Sequence, residues 1–335
     1  MDTSTEIHPA LPRTVADPDL VRAVLADPAH TVPAPGSGAP PGTMAWLRQN
    51  VARLSSGPDH ARRRDLAVGL LGPLDPGVLR TGARKTASTI IAAAEHRPFD
   101  AMALVARRVP SLVLARALGA GDPDQVAAQL PAVAGAYLPG SPGNADADGC
   151  VARLTGLLPA GPGEQVAARI GLLIQAYAAT AGLIGNAVAA GIRENHPVPA
   201  AELVAQVLRT EPPVRFTQRV TPSGETIALD LTTAGDDPAG HLAFGYGQHA
   251  CPGSAYAIAL AEGAAEPLLA RCRWTGAEIS YPEPPALRAP SASSWSSGDG
   301  RVARPGREVA RPGARSGQEA PSIKDRACAG PTTRS

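Results

Sequence analysis

Apolar residues recur at intervals of three and four along much of the chain up to Thr210, the spacing of helices with one buried face. Asp17–Asp27 (DPDLVRAVLAD) opens on an aspartate suited to cap a helix and places Leu20, Val21, Val24 and Leu25 on one side. Met44–Leu54, His60–Leu71, Val78–His96, Met102–Leu118 and Pro123–Ala136 carry the same pattern. Glu164–Glu194 is apolar nearly all round, which predicts a helix buried on every side. Ala200–Thr210 predicts one more helix, stopped by Glu211-Pro212-Pro213. Beyond it Val214–Val220 and Thr226–Leu231 read as strands separated by the turn Pro222-Ser223-Gly224, and a last helix is expected after Pro252. The expected fold class is mainly α with a minor β part in the last third. Two stretches break the pattern: the Pro/Gly loop Thr31–Thr43, and the segment from Ser291 to Ser335, which has almost no apolar periodicity. The latter cannot bury enough surface to offset the entropy of ordering it, so the expectation is a body over 1–290 and a disordered Pro/Gly/Arg-rich tail over 291–335. No internal repeat is visible.

Composition sharpens this picture at a few points. The chain has 335 residues, which suggests two domains or one large one, and it is 44% apolar but only 3% aromatic, so the core must be built mainly from Ala, Leu and Val. A net charge of +1 argues against a nucleic-acid binder or a polybasic membrane protein. The expected tail holds eight Lys/Arg against four Asp/Glu, which leaves the body slightly negative. Four cysteines do not make a disulfide scaffold in a chain this long. The N-terminus lacks the pattern of a secretory signal, and no apolar run looks long enough to cross a bilayer; a soluble, cytoplasmic protein is expected, with no nucleic acid and no membrane as partner. Lysine occurs only at Lys85 and Lys324 against many arginines, a bias of GC-rich coding.

The richest chemistry lies in Phe244-Gly-Tyr-Gly247-Gln-His249-Ala-Cys251-Pro-Gly253. A Gly-rich loop there presents one thiol just before a helix, where the dipole and free N–H groups favour the thiolate, the metal-binding form. The glycines permit close approach to something flat or bulky. Three other readings stand beside this one. Gly245-x-Gly247-x-x-Ala250 matches a dinucleotide fingerprint, but without a surrounding βαβ unit. His249 and Cys251 suit zinc, but Cys150, Cys272 and Cys328 supply no second pair at ligand spacing. The third is a structural loop with an inert cysteine.

The segment resembles the haem-binding loop of cytochrome P450, Phe-x-x-Gly-x-x-x-Cys-x-Gly, with Phe244, Gly247, Cys251 and Gly253 in every fixed place. The flanking HLAFGYGQHACPG is similar to soluble bacterial, actinobacterial-type members. The resemblance implies haem b with Cys251 as thiolate ligand to iron, Phe244 beside the sulfur and His249 at a haem propionate. Other segments follow in the family's order. Ser56–Arg64 (SGPDHARRR) resembles the start of the C helix, with His60 and Arg64 as propionate contacts; on one helix the two are i, i+4 neighbours. Gln175–Asn186 (QAYAATAGLIGN) resembles the oxygen-binding I helix, in which an acid–alcohol pair relays protons. There Thr180 takes the alcohol's place as candidate catalytic residue, Ala179 the acid's, and Tyr177 the glycine's. Val204–Arg219 (VAQVLRTEPPVRFTQR) resembles the K helix and following strand, with Gln206 and Arg209 at the Glu-x-x-Arg pair and Arg219 at a propionate. The resemblance runs from about Asp17 to Pro284.

Departures are equally clear. The chain is short between Asn186 and Gln206, where the family has a J-helix region. Between Leu231 and His241 it reads only TTAGDDPAG in place of a long meander. The N-terminal β part is abbreviated, and the closing C-terminal strands look replaced by the Pro/Arg tail. The fold is therefore expected to be cytochrome P450-like and abbreviated. The resemblance implies a haem-thiolate monooxygenase oxidising a small organic molecule in secondary metabolism. Its electrons would come from NAD(P)H through a ferredoxin and its reductase, since no flavin domain lies in this chain. The alternative is a degenerate member that binds haem, ligand or a partner without turnover, a truncated or frame-shifted product being one version. A third reading is haem chemistry without a proton relay, such as dehydration or isomerisation. Gly135–Pro159, which by the resemblance covers the substrate pocket, has no charge pattern that points to a ligand.

Overall fold

A computed structural model describes residues 12–297 except 96, 138–144, 195–196, 236, 238, 277–278, 282–286 and 292, and all of these fall in one compact unit. In chain order the elements are strand β1 (Arg13–Val15) and helices α1 (Pro18–Ala26) and α2 (Met44–Gln49). A 3-10 turn (Ala52–Leu54) leads to α3 (Gly57–Leu71), α4 (Pro76–Ala93) and strand β2 (Phe99–Asp100). A π-helical turn (Met102–Arg107) runs into α5 (Arg108–Ala117), followed by α6 (Pro123–Gly135), α7 (Ala145–Leu157), α8 (Gly163–Arg193) and α9 (Ala200–Thr210). Strands β3 (Phe216–Val220) and β4 (Thr226–Asp230), helix α10 (Ser254–Arg271), and strands β5 (Cys272–Trp274) and β6 (Ser294–Ser297) complete the order.

Helix starts follow local chemistry. Asp17 Oδ1 accepts from Leu20 N at 2.8 Å to open α1, and Asp122 caps α6 in the same way at 3.0 Å. The expected helix Met44–Leu54 is split, because Asn50 turns back to donate to Trp46 O at 2.7 Å and the chain re-forms as the 3-10 turn. The stretch before Pro159, assigned no element from sequence, contains α7, whose Ala147, Cys150, Val151 and Leu154 face inward at helical spacing.

Helices α4, α5, α8 and α10 pack as a bundle. α10 lies so close to α4 that a Cβ at Gly263 would run into Arg80 O. The core divides into a cluster around this bundle, a second under α2, α6, α7 and the first half of α8, and a small third one that joins α1 to the sheet. That sheet has the order β1-β4-β3, with β1 parallel and β3 antiparallel to β4; the other has the order β2-β6-β5 and is antiparallel.

Two expectations are corrected. Residues 294–297 do not belong to a tail: β6 pairs with β2 and β5, and Trp295 is fully buried in the bundle core, so the body extends past 290 and closing C-terminal strands are present. The rest of the expected tail, 298–335, lies outside the described residues. Second, α8 is long and apolar enough to cross a membrane by length and composition, although no run in the sequence was expected to be. Most of it is packed inside the protein, and that burial accounts for its apolarity.

Candidate functional site

The Cys251 loop is held by its own backbone. Cys251 N donates to Phe244 O at 2.8 Å, Ala250 N to Gly247 O at 3.0 Å, and Gly245 N to Leu242 O at 2.8 Å. Gly247 has φ +66°, and a Cβ there would stand 2.7 Å from Leu25 O. The loop therefore needs this glycine for its left-handed backbone and to seat on the end of α1. The Phe244 ring packs partly buried against the bundle core. Gly253 caps α10, its Cβ position 3.7 Å from Cys251 Sγ. Cys251 is exposed as a residue, yet protein atoms around its sulfur still desolvate it. That desolvation pushes the thiol up, while the Gly253 N–H, Arg53 and Arg64 pull it down.

Four residues taken from sequence as propionate contacts meet beside this loop. α3 is tied to the start of α8 by Glu164, whose Oε1 sits 2.7 Å from Arg62 Nη2 and 2.9 Å from Arg63 Nε; these arginines hold its carboxyl down at about 2. α3 so placed directs two residues, one turn apart, at the loop. Arg64 Nη1 donates to Ala250 O at 2.7 Å, and the His60 ring lies on the His249 ring with centroids 3.8 Å apart. Arg219 comes from β3 and is 3% exposed; Nη1 donates to Gln218 O at 2.8 Å and to Thr217 Oγ1 at 3.4 Å.

This cluster is cationic and has no acid of its own. Burial, then the His60 charge and the Arg219, Arg64 and Arg53 guanidiniums, drive His249 down to about 3. Burial, then Arg64 and Arg219, lowers His60 as well. Burial, with Arg53 nearby, brings Arg219 down to about 10. Among the described residues no carboxylate forms an ion pair with Arg53, Arg64 or Arg219. Arg53, in the 3-10 turn before α3, was not found from sequence, since an arginine in irregular chain carries no periodic signal.

Thr180 lies on α8, 2% exposed, and among the described residues no hydrogen bond links its side chain to the loop cluster. Just before it the helix changes character: Gln175 is exposed and Ala176–Ala179 are half-buried, although both flanks of α8 are buried. The two large cores divide at this turn, Ile174 closing one and Ala181 opening the other. Tyr177 lines an open groove of about 380 Å³ with Leu104, Arg107 and Pro131. The Gln206–Arg209 pair is not a buried one: Arg209 is exposed, so the missing acid leaves no buried charge uncompensated. The carboxylate at that end of α9 is Glu211, which bridges Arg193 at 3.1 Å and Arg288 at 3.2 Å.

No protein-family model matches the chain, and no curated protein matches it by sequence. Solved structures do. The chain is similar to P450BioI in complex with a hexadec-9Z-enoic acid-ligated acyl carrier protein, with a TM-score of 0.70 and 20% identity over 85% of this chain and 92% of that one. It is similar to a thermophilic cytochrome P450 from Sulfolobus tokodaii (0.67, 18%, 88% and 96%) and to the Bacillus subtilis bacillaene polyketide synthase cytochrome P450 PksS (0.65, 17%, 84% and 89%). The fold is the cytochrome P450 fold.

Proposed function

We propose that this chain is a haem-thiolate monooxygenase that oxidises a small organic molecule. The observation that carries the reading is the meeting of Cys251 with His60, Arg64, Arg219 and His249 in a cluster without an acid. Such a donor set suits one thiolate-binding metal and two carboxylates, which is what the iron and propionates of haem b present. The half-uncovered turn of α8 between the two cores is further support, since a flat apolar group would cover it.

Cys251 would hold the iron, its thiol proton leaving on binding as metal–thiolate bonds require. Arg64 and Arg219 would bind the propionates as charge-assisted donors, and the neutral His60 and His249 would each give one N–H. Haem so held supplies oxygen activation, with thiolate donation favouring O–O cleavage. Thr180, the catalytic candidate, would hold a proton at Oγ1 and pass it on; Ala179 gives it no acid to draw from. Phe244, Gly247 and Gly253 serve the loop, Gly247 by seating it on α1. Electrons would come from NAD(P)H through ferredoxin and ferredoxin reductase, and the setting is a soluble cytoplasmic protein of secondary metabolism. The named neighbours are consistent with that setting, one being a polyketide synthase P450.

The test is spectral. Protein loaded with haem, reduced and exposed to carbon monoxide should show the far-red Soret band of thiolate ligation. A band at the position of histidine-ligated haem, or no haem uptake, overturns the reading. Ala179 favours the alternative, a member that binds haem, ligand or partner without turnover. Product formation with a ferredoxin and reductase removes that alternative.

A further inference from the structure

A second set of donors lies away from the Cys251 cluster. The open groove of about 380 Å³ that Tyr177 lines runs between α6 and the entry to α5, and no residue of the Cys251 cluster borders it. Its size falls within the range of small-molecule sites, about 300–1,000 Å³. Its apolar walls include Leu104, 41% exposed, and Ala127, Ala128 and Pro131 of α6. Leu104 belongs to the π-helical turn Met102–Arg107, an irregularity that is rare in helices and recurs at functional sites.

Four polar side chains line the same groove. Two are already engaged: Arg108 Nη2 pairs with Asp124 Oδ1, and Ser111 Oγ donates to Arg107 O at 2.7 Å. Arg107 and Tyr177 remain. Arg107 is half-buried and forms no ion pair among the described residues. Its guanidinium reaches only Ser291 O, at 3.4 and 3.5 Å, longer than a good N–H···O bond. Tyr177 is half-buried on α8, and its hydroxyl makes no hydrogen bond among the described residues. Burial raises this phenol, with the Arg107 charge acting the other way, so it keeps its proton and donates.

We propose that this groove binds a small amphipathic carboxylic acid, its apolar body along Leu104, Ala127 and Pro131 and its carboxylate held by Arg107 with the Tyr177 hydroxyl as second donor. Both donors border one cavity, and a cation beside a neutral O–H is the pair an oxyanion needs. One free guanidinium matches a single negative charge, and Asp124 beside Arg108 disfavours a dianion such as a phosphate. A neutral ligand of the same shape would leave Arg107 unmatched, so the groove selects against it. The site is separate from the Cys251 cluster and does not depend on haem.

The test is calorimetric binding of octanoate and 3-phenylpropionate to the full chain as purified, each against its matching alcohol. At least one acid should bind roughly tenfold more tightly than its alcohol, the value of a charge-assisted hydrogen bond. Arg107→Gln should erase that preference, Arg107→Lys should keep part of it, and Tyr177→Phe should weaken it several-fold. Amide hydrogen exchange on the wild type locates the site without any variant: the acid should protect residues 102–111 and 127–131. Equal binding of acids and alcohols overturns the proposal. So does a preference that survives Arg107→Gln, or protection confined to the Cys251 loop. The haem reading stands or falls separately, on the carbon-monoxide spectrum.

Discussion

Cys251 and His249 lie two residues apart and solve opposite problems. The sulfur must give up a proton to bind a metal, and the imidazole must stay neutral amid guanidiniums. Cys251→Ser puts a hydroxyl, a poor ligand that stays protonated, at the proposed metal position. Haem-loaded Cys251→Ser should lose the far-red carbon-monoxide band; a variant that kept it would show that another group holds the iron. For His249 the pH dependence follows from its lowered pKa. The unfolded chain binds its proton near pH 6.5, whereas the folded chain refuses it down to about 3. Protonation therefore favours unfolding, so this part of the stability is full above about pH 6.5 and is lost as the pH falls. The slope is at most about 1.4 kcal/mol per pH unit. His60, lowered in the same direction, adds to the effect. Urea titrations of haem-free protein between pH 7 and pH 5, above the range of carboxylate titration, should show wild type weakening and His249→Phe weakening less. Parallel loss in both proteins would mean that His249 is not a buried neutral group.

At the scale of elements, the sequence spoke clearly where one helix face repeats. The apolar stripes of α1, α4 and α9 and the all-round apolarity of α8 gave those helices to within a few residues. α7 escaped because two aspartates and two glycines dilute its stripe. β1, β2, β5 and β6 escaped because strands of two to four residues are specified by distant partners and not by their own pattern. Trp295 is the sharpest case: one aromatic in a run of serines reads as tail, yet it fills the bundle core opposite Trp274 and Phe99 in strand register. A chain ending at residue 290 should lose roughly 3–5 kcal/mol of stability, as should Trp295→Ala, because each removes a fully buried large side chain. A chain ending at residue 297 keeps β6 and should match wild type in urea denaturation; an equal loss in that chain would place stabilising contacts beyond it. On α8, Ala179→Asp should raise the ratio of product to peroxide by restoring an acid next to Thr180, and Thr180→Ala should lower it. General acid–base help is worth about a hundredfold to ten-thousandfold in such steps. If neither change moves the ratio, proton delivery is not the task of this helix.

At the scale of the molecule, the candidate residues were named one by one from the loop pattern and the order of segments, but nothing in the sequence foretold their meeting. Nothing local in the sequence says that the His60 ring lies on that of His249, that Arg64 reaches Ala250, or that the Arg53 charge acts on the same group of residues. Those contacts arise because Glu164 ties α3 to α8 and Gly247 seats the loop on α1, which are long-range effects. The same arrangement leaves α8 passing between two cores with the turn Gln175–Ala179 poorly covered. A group bound at Cys251 that covered this turn would join the cores, and ligand that binds only the folded state stabilises it by mass action. At free haem a hundredfold above its Kd the gain is about 2.7 kcal/mol. Haem should therefore raise the melting temperature and slow amide hydrogen exchange within Gln175–Ala179 more than in α4 or α9, whose buried residues all belong to the first core. Arg219→Ala, which removes one proposed propionate partner without touching α8, should reduce both effects together. If haem bound with full stoichiometry but protected only the Cys251 loop, it would lie on the loop side alone, and the turn of α8 would belong to some other ligand.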